Sequence, residues 1–192
     1  MITIVGAGAL GSHTVLFLRN ILAEHRVQVV DFDRIELKNT MAQFHTQMGK
    51  GKNKSVALGH ALSGMFGRHI NPVPFKLTED NASTILQDPD LIIDCTDNIE
   101  ARKLIQDYHR RYDFPCLHGA LSADGQFARI MWSEHFTPDA EGEEGEATCE
   151  DGEALPFFAF VAAYLAIEVQ RFLNTGKKGS YQLSPAGVLR LA

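Results

Sequence analysis

The sequence has few cysteines, and their spacing excludes two common uses of this residue. The three, Cys95, Cys116 and Cys149, are odd in number and form no C-x-x-C pair. A disulfide framework needs paired cysteines, and a structural zinc site needs closely spaced ligands. The sequence therefore predicts neither a disulfide-stabilised fold nor bound zinc.

An excess of basic charge and long apolar runs are also missing. Lysine and arginine number 18 against 24 aspartates and glutamates, which gives a net charge of −6. Such a chain is not expected to bind nucleic acid broadly. No segment reads as apolar enough to cross a membrane, and the first residues resemble a core strand rather than a signal peptide. These features predict a cytoplasmic protein with no membrane partner.

The chain does contain enough apolar residues for one folded domain over residues 1–192. Of its 192 residues, 45% are apolar, and short β-branched runs alternate with helical patterns. This alternation predicts an α/β fold with a doubly wound, mostly parallel sheet and antiparallel C-terminal strands. Strands are expected at 1–5, 26–31, 71–76, 91–94, 116–121 and 126–132, with an edge hairpin at 180–192. Helices are expected at 10–22, 54–66, 82–86, 99–111 and 155–173.

Two segments are expected to lack regular structure. Residues 32–52 read as a loop. Residues from about 134 to 153 are dense in Asp, Glu and Gly, which predicts a solvated, mobile acidic loop that contains Cys149. The aromatic stripe that follows at helical spacing is interpreted as core or subunit interface.

The most informative motif is the glycine run in IVGAGALGSH, residues 4–13. Gly6 permits a tight turn, Gly8 lets the backbone approach a phosphate, and Gly11 lets the helix pack on the strand. Asp31 ends the next strand about twenty residues further on, where nucleotide-binding folds place the acid that holds the ribose. The run therefore predicts a nucleotide site at the helix N-terminus.

A second group of polar residues changes the expected nucleotide. The segment DFDRIELKN carries Asp33 and Asn39, and Gln43 follows. Lys54 then opens a helix, and Asp97 ends a later strand in DCTDN. A lysine at a helix start can neutralise phosphates, and a strand-end aspartate can hold Mg²⁺. A dinucleotide dehydrogenase does not need this set, which favours triphosphate chemistry.

With these motifs in order, the chain resembles the ThiF/MoeB/HesA family, adenylyltransferases related to ubiquitin-activating enzymes. Gly119 with Gly125-Gln126, and TCEDG before the last helix, extend the resemblance over nearly the whole chain. The resemblance implies a Rossmann-like fold, usually a homodimer. It also implies that ATP and Mg²⁺ are used to adenylate the C-terminal glycine carboxylate of a small ubiquitin-like or sulfur-carrier protein ending in Gly-Gly.

The resemblance also assigns roles to individual residues. It places Gly6, Gly8, Gly11, Asp31, Asp33, Asn39, Gln43 and Lys54 around the nucleotide and Asp97 on Mg²⁺, with Lys54 and Asp97 as catalytic residues. Alternatives from the sequence itself stay open. Lys54 is also read as a solvated lysine, with Lys50 and Lys52 as competitors, and Asn39 as a turn residue. Asp97-Asn98 is also read as a helix cap.

Two cations of the family pattern are missing. The family motif Asn-Leu-x-Arg-Gln reads Asn39-Thr40-Met41-Ala42-Gln43 here, so Ala42 stands in place of the arginine. The N-terminal helix that carries a second arginine in many relatives is also absent from the sequence. The expected substitutes are Arg34, Lys38, Lys50, Lys52 or an arginine from a partner protein.

Cys149 occupies the position of the reactive cysteine of sulfur-transferring relatives. Its acidic neighbours oppose thiolate formation and the following helix N-terminus favours it, so a catalytic thiol and a solvated bystander both stay open. Cys95 and Cys116 are interpreted as core residues. His118, expected at a strand end that faces the crevice, is read as structural or as a contact on the substrate path.

Two further functions compete with adenylation. One is a nucleotide-binding or scaffolding relative that has lost activity together with its arginines. The other is an NAD-dependent oxidoreductase, which would leave Lys54 and Asp97 without a purpose.

Overall fold

The computed structural model describes residues 1–122, 124–136 and 152–191. Within them the strands are β1 (Ile2–Val5), β2 (Val27–Val30), β3 (Asn71–Val73), β4 (Leu91–Asp94), β5 (Cys116–Leu121), β6 (Ala128–Trp132), β7 (Tyr181–Ser184) and β8 (Gly187–Arg190). The α-helices are α1 (Ala9–Phe17), α2 (Asn39–Ala42), α3 (Lys54–Phe66), α4 (Glu79–Ile85), α5 (Ile99–Tyr112) and α6 (Leu155–Thr175). Two 3₁₀ helices cover Leu18–Ala23 and Gln47–Gly49.

The strands form one eight-stranded sheet in the order β3-β2-β1-β4-β5-β6-β7-β8. Pairing is parallel from β3 to β5 and antiparallel from β5 to β8. The predicted fold class, a doubly wound and mostly parallel sheet with antiparallel C-terminal strands, is confirmed. The predicted C-terminal hairpin is also confirmed, because β7 and β8 pair at the edge of the sheet.

Alternation along the strands builds a core on each face of the sheet. Successive strand residues point to opposite faces. Ile4 and Ile93 belong to a cluster that also takes in side chains of α1, α3 and α6. Val5, which follows Ile4, and Ile92, which precedes Ile93, belong to a second cluster with side chains of α4 and α5. Both faces are therefore covered, as a parallel sheet requires.

Several element boundaries differ from the sequence prediction for local physical reasons. The first helix ends at Phe17 and tightens into a 3₁₀ helix, a frequent form of a helix C-terminus. The third strand ends at Val73, because Pro74 has no N–H for the sheet ladder. Helix α4 begins three residues earlier than expected, since the Asn81 side chain accepts from the Thr78 N–H at 2.9 Å and caps it.

The segment 32–52 is not the plain loop that was expected. It contains α2 and the 3₁₀ helix Gln47–Gly49. Its Ile35 is only 2% exposed, and its Arg34 forms an isolated antiparallel bridge with Asn53. The segment is therefore packed against the rest of the fold, beside the carboxyl ends of β1 and β2.

The expectation that no segment is long and apolar enough to cross a membrane is wrong, because helix α6 meets this criterion. It has 21 residues and a window of mean hydropathy 1.4, which satisfies that criterion by length and composition. In this fold its apolar face is core, because Phe158, Val161 and Leu165 are fully buried. Glu168, buried in the same helix, accepts hydrogen bonds from the Trp132 indole and the Gly179 N–H. The helix is thus a core element of an α/β sheet.

Candidate nucleotide-binding site

A crevice lies where the chain changes direction across the sheet. Strand β1 pairs with β2 on one side and with β4 on the other, so the segments that follow β1 and β4 diverge. Ligands of doubly wound folds bind at this point, outside the carboxyl ends of the strands. The glycine loop Gly6–Gly8 follows β1, and the turn Cys95–Asn98 follows β4.

The glycine loop has the shape that a phosphate cradle needs. Gly6 has a φ of +95°, a conformation that glycine adopts without strain. A Cβ on Gly11 would lie 1.9 Å from the Gly6 carbonyl oxygen, so α1 packs directly on the loop. A Cβ on Gly8 would meet nothing within 4 Å, and Gly8 caps the nine-residue α1 without any side-chain bond. The space in front of this helix N-terminus therefore suits a phosphate group.

Two side chains hold the middle of the loop through the backbone of Ala7. The Ala7 N–H donates to Oδ2 of Asp31 at 2.6 Å, and the other oxygen of Asp31 accepts from the Asp33 N–H at 2.8 Å. The Ala7 carbonyl lies 2.9 Å from Nε2 of His45. Asp31 thus shapes the loop as well as lying where a ribose acid is expected. Burial raises its pKa, although the Ala7 N–H and the Lys54 charge oppose that rise.

His45 is a site residue that the sequence did not reveal, because a lone histidine in a loop carries no motif. Burial, together with the nearby Lys54 charge, lowers its pKa to about 4, although the hydrogen bond to Ala7 opposes the shift. The ring is therefore neutral at neutral pH, and Nε2–H donates to the Ala7 carbonyl.

Lys54 is buried and paired, which overturns the alternative of a solvated lysine. It begins α3, where the Asn53 side chain caps the helix by accepting from the Val56 N–H at 3.2 Å. Its Nζ donates to Oδ2 of Asp33 at 2.9 Å, and 9% of the lysine side chain is exposed. The competing lysines, Lys50 and Lys52, are both exposed.

Asn39 begins α2 and Gln43 directly follows it, and the two residues differ in how their polar atoms are used. Asn39 is buried, and its Oδ1 accepts from the Glu36 N–H at 2.9 Å, which is the turn contact named as its alternative role. Gln43 has an Oε1 that is shielded from solvent and meets no hydrogen-bond donor in the described part of the chain. A buried acceptor without a partner is costly, so a bound ligand with an N–H or O–H group would satisfy it.

Of Asp97 and Asn98, only Asn98 takes the helix-cap role that the sequence left open. Oδ1 of Asn98 accepts from the Ala101 N–H at 3.0 Å and caps α5. Asp97 is exposed, and no described residue bonds to its carboxylate. The described residues hold no group of three or more His, Cys, Asp or Glu that could enclose a metal. One free carboxylate fits Mg²⁺ bound mainly through nucleotide phosphates, which is its usual mode.

His118 is buried beneath the crevice and does not face it. Its Nδ1 is 2.7 Å from Oδ2 of Asp94, its Nε2 is 2.7 Å from Oγ of Ser133, and its ring stacks on Phe136. It has no exposed surface, so the structural interpretation is confirmed and the expected contact on the substrate path is wrong. Burial alone would raise the pKa of Asp94, but His118 and the Arg102 charge hold it below its usual value.

The remaining cysteines and the missing arginine can be placed only in part. Cys95 and Cys116 are buried core residues, as predicted, and burial raises the pKa of both thiols. Cys149 lies outside the described residues, as does most of the predicted acidic loop 134–153. Ala42, where the family has arginine, is fully buried in the apolar core. Of the expected substitutes, Arg34 donates to the Gly51 carbonyl at 2.7 Å.

A doubly wound sheet with a glycine loop and an acid at its switch point defines an α/β nucleotide-binding protein. The comparison with family models makes this specific. The model of the ThiF family matches residues 1–186, and the chain belongs to that family.

Curated relatives are similar over most of this chain. The adenylyltransferase and sulfurtransferase MOCS3 of Dictyostelium discoideum is 27% identical over 187 residues, covering 93% of this chain and 44% of the relative. MOCS3 of Aedes aegypti is 32% identical over 186 residues, covering 91% of this chain and 42% of the relative. The chain thus spans less than half the length of these relatives.

The fold is also that of known crystal structures. E. coli MccB with MccA-N7isoASN superposes with a TM-score of 0.80 at 15% identity, covering 99% of this chain and 63% of the other. E. coli MccB with ATP gives a TM-score of 0.77 at 15% identity, with the same two coverages. At this identity the likeness establishes the fold alone.

Proposed function

We propose that the chain is an adenylyltransferase that uses ATP and Mg²⁺ to activate the C-terminal glycine carboxylate of a small ubiquitin-like or sulfur-carrier protein. One arrangement carries the proposal. An open helix N-terminus at Gly8, a buried ammonium at Lys54 and a free carboxylate at Asp97 lie on segments that follow or adjoin the carboxyl ends of β1, β2 and β4. The curated relatives, which bear adenylyltransferase names, support the same activity.

The chemistry explains why this combination of charges is useful. A carboxylate oxygen of the carrier attacks the α-phosphorus of ATP, the bond from that phosphorus to the bridging oxygen breaks, and pyrophosphate leaves with the bonding electrons. The product is an acyl-adenylate. Nucleophile and triphosphate are both anions, so the site must offset negative charge on the leaving group. Lys54 supplies one cation from the protein.

The other predicted site residues divide between holding the nucleotide and holding the metal. Gly8 lies against the phosphates, whereas Gly11 packs α1 on the loop instead of contacting them. Asp31 receives the ribose hydroxyls, and Gln43 gains a donor for its unpartnered Oε1. Gly6, Asp33 and Asn39 shape the loops around them. Asp97 would hold Mg²⁺, which offsets charge on the phosphates when bound.

An open groove at the same edge of the sheet as the crevice offers a path for the carrier tail. It has a volume of about 580 Å³ and is lined by the β5–β6 turn at Gly125-Gln126 and the start of α6 with Phe157 and Phe160. Strand β5 runs parallel to β4, so its end lies at the same edge of the sheet as the crevice. We assign this groove to the extended C-terminal segment of the carrier, whose last carboxylate then points toward the nucleotide.

A non-catalytic nucleotide-binding relative is the second candidate, and Ala42 favours it. That position is fully buried and carries no charge, so the chain itself offers no arginine there. The oxidoreductase alternative loses its support, because the chain belongs to the ThiF family. A homodimer, a cytoplasmic location and later transfer of the acyl group to Cys149 remain part of the proposal.

Exchange of labelled pyrophosphate into ATP tests the proposal. The assay uses the protein, Mg²⁺ and a small Gly-Gly carrier from the same source, with a carrier lacking its last glycine as control. Exchange that depends on the intact carrier supports adenylation. ATP binding without exchange contradicts it and favours the non-catalytic relative.

The same assay separates activation from transfer. Replacement of Cys149 by alanine is expected to leave exchange intact and to block formation of the acyl thioester, in which the Cys149 sulfur displaces AMP from the acyl-adenylate. Unchanged transfer would show that Cys149 is a bystander.

A further inference from the structure

The turn that carries Asp97 is held from below by a buried carboxylate. Asp94 has no exposed surface, and its Oδ1 accepts both the N–H of Thr96 at 2.9 Å and the Thr96 hydroxyl at 2.7 Å. Its Oδ2 pairs with Nδ1 of His118 at 2.7 Å. Both carboxylate oxygens are therefore engaged, one by the turn and one by the core of the sheet.

The same turn is held from its other side by Arg102 of α5. Nε of Arg102 donates to the Thr96 carbonyl at 2.9 Å, and a terminal guanidinium nitrogen donates to the same carbonyl. That nitrogen also reaches the Gly119 carbonyl at 3.3 Å. Arg102 thus joins the turn after β4 to strand β5, and every polar group of Thr96 is bonded.

Asp97 differs from the residues on both sides of it. Thr96 is held through three groups, and Asn98 is fixed as the cap of α5. Between them, the Asp97 carboxylate has no partner in the described part of the chain and is exposed. A fixed backbone with a free side chain is the arrangement expected of a residue that presents a ligand to a metal.

We propose that Arg102 and Asp94 are positioning residues that fix Thr96, and through it aim the Asp97 carboxylate at Mg²⁺ bound to ATP. This inference rests on the proposed function. Both residues are assigned this indirect role because Asp94 is fully buried, and because Nε and one terminal nitrogen of Arg102 donate to backbone carbonyls. Their effect should therefore be seen in the part of nucleotide affinity that depends on the metal.

The test compares Arg102→Met with Lys103→Met, the neighbouring exposed lysine on the same helix. Both changes remove one positive charge, but only the first removes the bonds to Thr96. ATP affinity is measured by titration calorimetry with Mg²⁺ and with a chelator, and thermal unfolding is followed in parallel. The ratio of the two affinities is expected to fall about tenfold in Arg102→Met, the loss typical of a metal's supporting shell. It should not change in Lys103→Met.

A second pair of variants guards against simple unfolding. Thr96→Val removes the hydroxyl bonded to Asp94, whereas Thr96→Ser keeps it. In the valine variant, the gain in ATP affinity that Mg²⁺ gives should be smaller than in the unmodified protein. In the serine variant, that gain should be unchanged.

An unchanged ratio in both Arg102→Met and Thr96→Val would overturn the inference. So would an equal loss of affinity with and without Mg²⁺, because that pattern indicates general damage to the site. Failure of the proposed function is distinguishable, because it is seen as missing pyrophosphate exchange in the unmodified protein, whereas this test compares ATP affinities with and without Mg²⁺.

Discussion

Lys54 donates to Asp33 across 2.9 Å, and the two side chains differ in exposure, 9% for the lysine against 48% for the aspartate. The ammonium is thus held at the crevice by one of its three donors. Two donors remain for a phosphate, so Asp33 orients the cation for an incoming nucleotide.

Lys54→Met is expected to weaken ATP binding by about tenfold to a hundredfold, since a hydrogen bond to a charged group contributes about 1.5–3 kcal/mol. Lys52→Met, which removes an exposed lysine two residues away, should have little effect. Titration calorimetry with ATP measures both. A larger loss in the Lys52 variant would mean that the wrong lysine has been assigned to the phosphates.

Gly8, which caps α1, and Gly11, in its first turn, should respond to alanine in opposite ways. Gly8→Ala meets no atom within 4 Å, so the fold should persist while the new methyl group occupies the phosphate space and weakens ATP binding. Gly11→Ala would place Cβ 1.9 Å from the Gly6 carbonyl oxygen and should destabilise the fold by about 3 kcal/mol or more. Thermal unfolding and ATP titration separate the effects. Normal ATP affinity in Gly8→Ala would show that the phosphates do not bind in front of Gly8.

His45 should make stability depend on pH in acid. Its pKa falls from 6.5 to about 4 on folding, so between these values the unfolded chain binds a proton that the folded chain does not. The contribution of neutral His45 to the free energy of unfolding is complete above pH 6.5. It is lost as the pH falls toward 4, by up to about 3 kcal/mol.

Urea unfolding of the protein and of His45→Gln, from pH 7 to pH 4.5, measures this contribution. Glutamine can still donate to the Ala7 carbonyl but does not titrate, so the pH dependence should flatten. His60→Gln, at an exposed position of α3, should keep it. Equal slopes for His45→Gln and the unmodified protein would show that His45 is not the titrating group.

Phe160 tests the groove assigned to the carrier tail. The side chain is 40% exposed and lines the groove. Phe160→Ser should raise the KM for the carrier while leaving ATP affinity unchanged. Ile167→Ser, which removes an exposed apolar residue further along α6, should alter neither. An unchanged carrier KM in Phe160→Ser would place the tail elsewhere.

The sequence predicted the sheet because its signals are local. A short apolar strand, a glycine turn and a helix can each be recognised within about ten residues, and the glycines of the loop have identifiable steric reasons. The order of motifs was enough to predict the crevice at the ends of β1 and β4, where Gly8 and Asp97 lie.

Contacts between distant segments could not be predicted in the same way. His45 reaches the Ala7 carbonyl across 38 positions, and His118 reaches Asp94 across 24. Neither histidine lies in a motif that names its partner. Helix α6 shows a different limit, because composition alone does not distinguish a buried core helix from a membrane span.

The central claim is that a carrier carboxylate becomes an acyl-adenylate on this protein, and trapping with hydroxylamine tests it most directly. Hydroxylamine attacks the activated carbonyl carbon and releases AMP, which leaves a hydroxamate at the carrier C-terminus. Mass spectrometry of a Gly-Gly carrier incubated with the protein, ATP and Mg²⁺ should show this hydroxamate, and it should be lost with Lys54→Met and Asp97→Asn. An unmodified carrier, together with normal ATP binding, would contradict adenylation.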